Sequence, residues 1–202
     1  MIGILGGSFD PIHYGHLRTA LEVQQALGLE EIRLIPLRSP PHRGALGTDP
    51  ETRLEMVRAA VADNPVFRVD ARELSRAGKS YTLDTLLSLR EEIPETPICL
   101  LLGNDAFRGF PGWHLPLEIL QQAHLVVMER PGEDAPALYP SRHARDADEL
   151  RAAPGGRVLL QPVTQLEISA TQIRALLKRG RSPRYLLPDA VLEIIEQRGL
   201  YR

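Results

Sequence analysis

Short apolar runs alternate along this chain with longer amphipathic stretches, and that alternation restricts the fold more than any other feature of the sequence. Ile2–Leu5, Ile32–Pro36, Val66–Val69, Ile98–Leu102, His124–Met128 and Val158–Val163 have strand length and mostly apolar content. Leu17–Leu29 carries Leu17, Ala20, Leu21, Val23 and Leu27 near helical spacing, and Gly28 suits a left-handed cap at its end. Pro50–Asp63 opens on a proline and sets Leu54, Val57 and Val61 on one face. Thr82–Glu92 is a third predicted helix, and Ser169–Arg179 and Asp189–Gln197 are two closing ones. Strands separated by single helices predict an α/β fold with a doubly wound, Rossmann-like, mostly parallel sheet and helices on both faces. The C-terminal helical segment carries ISATQIR. No repeat or linker interrupts the pattern, so residues 1–202 read as one domain. Gly132–Gly156, with Pro, Gly and mixed charge but no clear period, reads as a surface insertion.

Charge excludes some functions. Twenty-four Lys+Arg against 26 Asp+Glu give a net charge of −2, the opposite of the basic excess that long nucleic acid or a membrane surface requires. The balance is uneven, however: Arg174–Arg184 holds five basic residues and no acid, and Ile32–Thr48 holds three arginines and His42 with no acid. A single cysteine, Cys99, leaves no internal disulfide and no all-cysteine metal site, which fits a reducing, cytoplasmic setting. No signal peptide is expected, because Gly6-Gly7 interrupts the first apolar stretch and no basic segment precedes it. No apolar run approaches the roughly 18 residues of a membrane span.

In a doubly wound sheet, ligands sit at the carboxyl ends of the strands. The first strand is followed by Gly6-Gly7-Ser8-Phe9-Asp10-Pro11-Ile12-His13-Tyr14-Gly15-His16. Two glycines at a strand end let backbone N–H groups approach a ligand, and the next helix offers its positive N-terminus, so this is an anion site. It is neither GxGxxG nor a P-loop. His13 and His16 can donate hydrogen bonds to phosphate oxygens, and either is expected to carry charge at modest cost. The competing readings are exposed or capping histidines and, far less favoured because no HExxH or cysteine cluster accompanies them, zinc ligands. Near the other end, Ile168-Ser169-Ala170-Thr171-Gln172-Ile173-Arg174 opens a helix. Ser169 and Gln172 have capping-box spacing, and the same hydroxyl and amides with Arg174 suit a second anion site.

Other strand exits hold Pro40-Pro41-His42-Arg43, Ser80–Thr85 (SYTLDT), Gly103-Asn104-Asp105 and Trp113-His114. Thr82 and nearby amides can hold a small anion. Asp105 can accept from ribose hydroxyls. Trp113 can stack on a flat heteroaromatic ring or simply pack in the core.

GGSFDPIHYGH resembles the signature of the HxGH nucleotidyltransferase superfamily, and ISATQIR resembles its ISxTxIR motif. PPHR, SYTLDT, LLGNDAF, PGWH and the ending LLPDAVLEIIEQRGLYR resemble one branch, the bacterial nicotinate-nucleotide adenylyltransferases, from end to end. The resemblance implies a single nucleotidyltransferase domain acting on ATP and nicotinate mononucleotide. Gly6, Gly7, Ser8, Phe9, His13, His16, Gly103, Asp105, Ile168, Ser169 and Arg174 would bind ATP, with His13, His16 and Arg174 catalytic. Thr82, Trp113, the His114 backbone and Arg130 would bind the mononucleotide, with His42 near it or the phosphates. Mg²⁺ would ride on ATP rather than in a protein cage, and no nucleic acid or membrane partner is implied. Ser8 stands where many members have threonine, Arg43 where lysine is frequent, and Asn104 and His114 at positions that vary. Three alternatives stay open: phosphopantetheine adenylyltransferase or another member of the superfamily, a preference for nicotinamide mononucleotide, and a nucleotide-binding regulatory module without turnover.

Overall fold

In the computed structural model, residues 1–38, 47–76, 78, 81–129, 132, 135–164 and 166–202 are described. The apolar runs form strands β1 (Ile2–Gly7), β2 (Ile32–Pro36), β3 (Phe67–Val69), β4 (Ile98–Gly103), β5 (His124–Glu129) and β6 (Val158–Pro162). They lie in one sheet in the order β3-β2-β1-β4-β5-β6. The pairs β1–β4, β4–β5 and β5–β6 are parallel, with Ile2 opposite Ile98, Leu101 opposite Val126 and Val126 opposite Leu159. Parallel neighbours need crossovers, and burial on both faces explains why these strands read as continuous apolar runs rather than alternating ones. The order turns back at β1 and β4, and residues leaving such strands are those an open α/β sheet offers to ligands. The expected fold class is therefore the observed one.

The helices are α1 (Tyr14–Leu27), α2 (Pro50–Val61), α3 (Thr82–Glu92), α4 (Asn104–Gly109), α5 (Pro116–Gln122), α6 (Ala147–Arg151), α7 (Ala170–Lys178) and α8 (Asp189–Gln197). Single 3-10 turns cover Phe110–Gly112 and Pro140–Arg142. α1 starts three residues before the predicted Leu17, because its first turn consists of motif residues that carry no apolar period. Its buried stripe is Leu17, Ala20, Val23 and Leu27, and Gly28 ends it with φ +63°. Asp49 caps α2 by accepting from Thr52 N at 2.9 Å. α4 and α5 were not predicted, since helices of six and seven residues are too short to express a period.

The described residues of Gly132–Gly156 lie mostly at the surface, as expected, but they are not all loop. Within it Asp146 accepts from Asp148 N and Glu149 N, both at 3.1 Å, and caps α6, whose Leu150 is fully buried. Part of the segment is thus packed structure. One capped turn with one anchor is invisible to a periodicity reading.

Two compact units divide the chain. The first comprises Met1–Leu5, Thr19–Arg33 and Tyr81–Thr164. In it Arg90 donates to the carbonyls of Gln122 at 2.5 Å, Thr96 at 2.6 Å and Pro154 at 2.8 Å, tying the end of α3 to α5 and to the approach to β6. His124 is buried, with Nε2 2.8 Å from the Ala153 carbonyl and Nδ1 accepting from Arg157 N. The second unit comprises Gly6–Arg18, Leu34–Ser80 and Gln165–Arg202. In it α2 packs on α8, and Arg198 donates to Thr52 Oγ1 at 2.7 Å and to Glu55. Among the described residues no helix is long and apolar enough to cross a membrane.

Candidate active site

The second unit holds the turn that leaves β1. Phe9 is buried with φ +45°, a left-handed conformation costly for a side chain with a Cβ. Its ring stands edge-on to His16, centroids 5.2 Å apart at 81°. His13 and His16 stack on each other, centroids 3.8 Å apart and 28° from coplanar. Gly15 between them is required by space. A Cβ there would lie 2.9 Å from His13 Nδ1 and 3.0 Å from the Ile168 carbonyl oxygen. Absence of a side chain thus lets the imidazole of one motif and the backbone of the other approach the same point.

Burial lowers the His13 pKa to about 2, with His16 adding to the effect, and lowers that of His16 to about 4. Both imidazoles are neutral at pH 7. The expectation that either could be charged at modest cost is corrected: removing two stacked rings from water makes the imidazolium expensive. Nδ1 of His13 is buried and meets no hydrogen-bond partner among the described residues. His16 keeps part of its surface accessible.

Ser169 caps α7 by accepting from Gln172 N at 3.1 Å, as its spacing predicts. Ile168 immediately precedes it. Arg174, one turn along, is half-buried and donates through Nη1 to the Asp10 carbonyl at 2.6 Å and through Nη2 to Thr171 Oγ1 at 3.2 Å. The two predicted anion sites, Gly6–His16 and Ile168–Arg174, are therefore adjacent within this unit. Gly6, Gly7 and Ser8 lie where β1 ends, and the Gly7 carbonyl accepts from Leu37 N at 2.9 Å.

Two residues that the sequence reading passed over support the turn. Arg53, on the buried face of α2 with Met56 and Val57, is fully buried and donates to the carbonyls of Ser8 at 2.6 Å, Arg38 at 3.2 Å and Thr48 at 3.3 Å. Burial lowers its pKa, and the Asp10 carboxylate opposes that. A charged residue at an apolar-face position of a helix was the available signal. Tyr201 donates its hydroxyl to Asp10 Oδ1 at 2.5 Å.

The first unit holds the remaining candidates. Gly103 ends β4 and is the N-cap residue of α4, and its Cα faces open space. Asp105 is exposed in the first turn and pairs with Arg108 at 3.1 Å. Thr82 is the half-buried first residue of α3. Trp113 is half-buried, its ring 5.4 Å from that of Phe110 at 54°. His114 is exposed and meets Tyr81, a residue not singled out beforehand, with ring centroids 4.5 Å apart. His42 and Arg130 lie outside the described residues. Cys99 is buried in β4 and its thiol is pushed up to about 12, which disqualifies it as a nucleophile.

A sheet ordered β3-β2-β1-β4-β5-β6 is the architecture of a nucleotide-binding α/β protein. The profile of the cytidylyltransferase-like family matches residues 4–176, and the chain belongs to that family. Within it the chain stands with the nicotinate-nucleotide adenylyltransferases. It is 52% identical over 206 residues to a protein of Halorhodospira halophila, covering 99% of this chain and 94% of that one. It is 48% identical over 208 residues to one of Methylococcus capsulatus, covering 100% and 99%. Both carry the name probable nicotinate-nucleotide adenylyltransferase. Among solved structures, Plasmodium falciparum nicotinic acid mononucleotide adenylyltransferase complexed with NaAD is similar with a TM-score of 0.76 at 18% identity, covering 99% of this chain and 96% of that one. That last likeness speaks for the fold.

Proposed function

We propose that residues 1–202 act as a single cytoplasmic nucleotidyltransferase domain that transfers the adenylyl group of ATP to nicotinate mononucleotide, forming deamido-NAD and pyrophosphate in NAD biosynthesis. The observation that carries the residue assignments is the pair of neutral, stacked imidazoles of His13 and His16 beside Arg174.

A phosphate oxygen of the mononucleotide attacks the α-phosphorus of ATP. The bond from that phosphorus to the bridging oxygen breaks, and pyrophosphate leaves with the electron pair. The attacking phosphate is already an anion at neutral pH, so no general base is required. Catalysis is alignment together with stabilisation of charge on the α-phosphate and the leaving group. His13 and His16 donate N–H to the phosphate oxygens, and Arg174 supplies the full positive charge. Gly6, Gly7, Ser8, Phe9, Ile168 and Ser169 line the triphosphate, and Gly103 and Asp105 take the adenosine. Donors of these kinds suit phosphate oxygens rather than a cation, so magnesium belongs to the MgATP substrate.

For the acceptor, the free N–H groups at the start of α3 with Thr82 take the carboxylate. Trp113 covers the pyridine ring, and the backbone of His114, Arg130 and His42 complete the subsite. Pyrophosphate release with MgATP should be fastest with nicotinate mononucleotide and much slower with nicotinamide mononucleotide or phosphopantetheine. Preference for either of the latter would overturn the substrate assignment.

A further inference from the structure

The stretch Ser8-Phe9-Asp10 is held from outside its own turn by two side chains that no phosphate assignment uses. Arg53 Nη1 donates to the Ser8 carbonyl at 2.6 Å. On the other side, the buried Asp10 carboxylate receives the Tyr201 hydroxyl on Oδ1 at 2.5 Å and Gly47 N on Oδ2 at 3.2 Å. The Asp10 carbonyl in turn accepts Arg174 Nη1 at 2.6 Å. One residue therefore links a phenol beyond α8 to the guanidinium of α7, and its backbone lies three residues from His13.

Burying a carboxylate and a guanidinium is expensive unless every charge is met by hydrogen bonds. An apolar contact would close this part of the core at lower cost. What charged groups provide is direction: each bond sets the orientation of one peptide plane in the turn. Phe9, between the two held carbonyls, sits in a left-handed conformation that persists only if its surroundings impose it.

We propose that Tyr201 is a positioning residue for adenylyl transfer, acting through Asp10 to hold Arg174 in the orientation that meets the transition state, with Arg53 bracing the turn from its other side. The inference rests on the phosphate role given to Arg174 above. Tyr201 touches no substrate in this scheme, so its loss acts on kcat through Arg174 and leaves KM for nicotinate mononucleotide unchanged.

The test is a double-mutant cycle of Tyr201→Phe and Arg174→Ala, with kcat and both KM values measured at a temperature where all variants are folded. Tyr201→Phe keeps the ring and should lower kcat about tenfold, or about 1.4 kcal/mol. Added to Arg174→Ala it should cost nothing further, because residues that act as a unit are non-additive. If Tyr201→Phe fails to fold, Asp10→Asn, which keeps an acceptor oxygen but removes the charge, enters the same cycle with the same expectation. Losses that multiply, or a Tyr201→Phe enzyme with unchanged kcat, would overturn the proposal. Failure of the underlying reading is seen separately, as an Arg174→Ala single variant with full kcat.

Discussion

The turn after β1 and the surface after β4 are built on different plans. In the first, His13 is 5% exposed, Asp10 2% and Arg53 0%, and backbone carbonyls are held by guanidinium groups at 2.6 Å. In the second, Asp105 and His114 are exposed, Trp113 and Thr82 are half-buried, and the aromatic groups lean on neighbours at 4.5–5.4 Å. On the proposed function, the difference matches what each would recognise. Charge developing on a phosphate is stabilised best by donors that are already oriented and shielded from water. A flat ring and a sugar are recognised by surfaces that have to remain open until the ligand covers them. Loss of a group from the first region should therefore appear in kcat, and loss from the second in KM.

The largest effect is expected from His16→Ala. Removing an oriented donor of this kind costs about 2.7–4 kcal/mol, or about 10²–10³ in kcat, while the cooperative unfolding transition persists. Normal pyrophosphate release by that variant would break the comparison at its strongest point.

The neutrality of the two histidines makes a second prediction, on stability. Below pH 6.5 the unfolded chain binds protons on both imidazoles, whereas the folded chain resists until about pH 4 at His16 and about pH 2 at His13. The unfolded state then binds more protons, so stability is full above pH 6.5 and falls as the pH drops toward those folded values. Between pH 6.5 and 5 the loss is on the order of 2 kcal/mol for each imidazole. Denaturant titrations should show a shallower acid slope for His16→Asn than for the parent chain. Equal slopes would mean that the stacked pair is not held neutral.

A third prediction concerns the open surface. Trp113→Ala should raise KM for nicotinate mononucleotide about tenfold, within the roughly 1–3 kcal/mol that base–aromatic stacking contributes, with kcat nearly unchanged. A fall in kcat at constant KM would place Trp113 with the rigid region instead.

Legibility in the sequence follows the same division of local and long-range order. The strands were readable as short continuous apolar runs, α1 and α2 because burial imposes a helical period, and Gly6–His16 because glycines and histidines crowd into one turn. Ser169 declared its capping role through spacing alone. By contrast Arg53 reaches Ser8 across 45 positions and Tyr201 reaches Asp10 across 191, and no local pattern encodes such pairings. α4, α5 and α6 stayed hidden because helices this short are fixed by one or two buried anchors, with a capping carboxylate in α6 alone of the three. Neither does residue type disclose burial, which turned the histidines from chargeable groups into neutral ones.

The smallest effect is expected from Asp105→Asn, and it sharpens the comparison because the side chain is 80% exposed and, among the described residues, pairs with Arg108, itself 56% exposed. An exposed pair of this kind contributes about 0–1 kcal/mol to folding, so thermal unfolding of the variant should be unchanged within error. If the carboxylate accepts from ribose hydroxyls, the amide keeps an acceptor oxygen but loses charge, and KM for ATP should rise a few-fold, less than the roughly 1.5–3 kcal/mol that complete loss of a charge-assisted hydrogen bond would cost. The nicotinate mononucleotide KM should not move. A residue that leaves stability untouched and shifts one KM is a ligand contact on an open surface. A residue such as Arg53 cannot be altered so selectively, because its bonds maintain the fold and the site together.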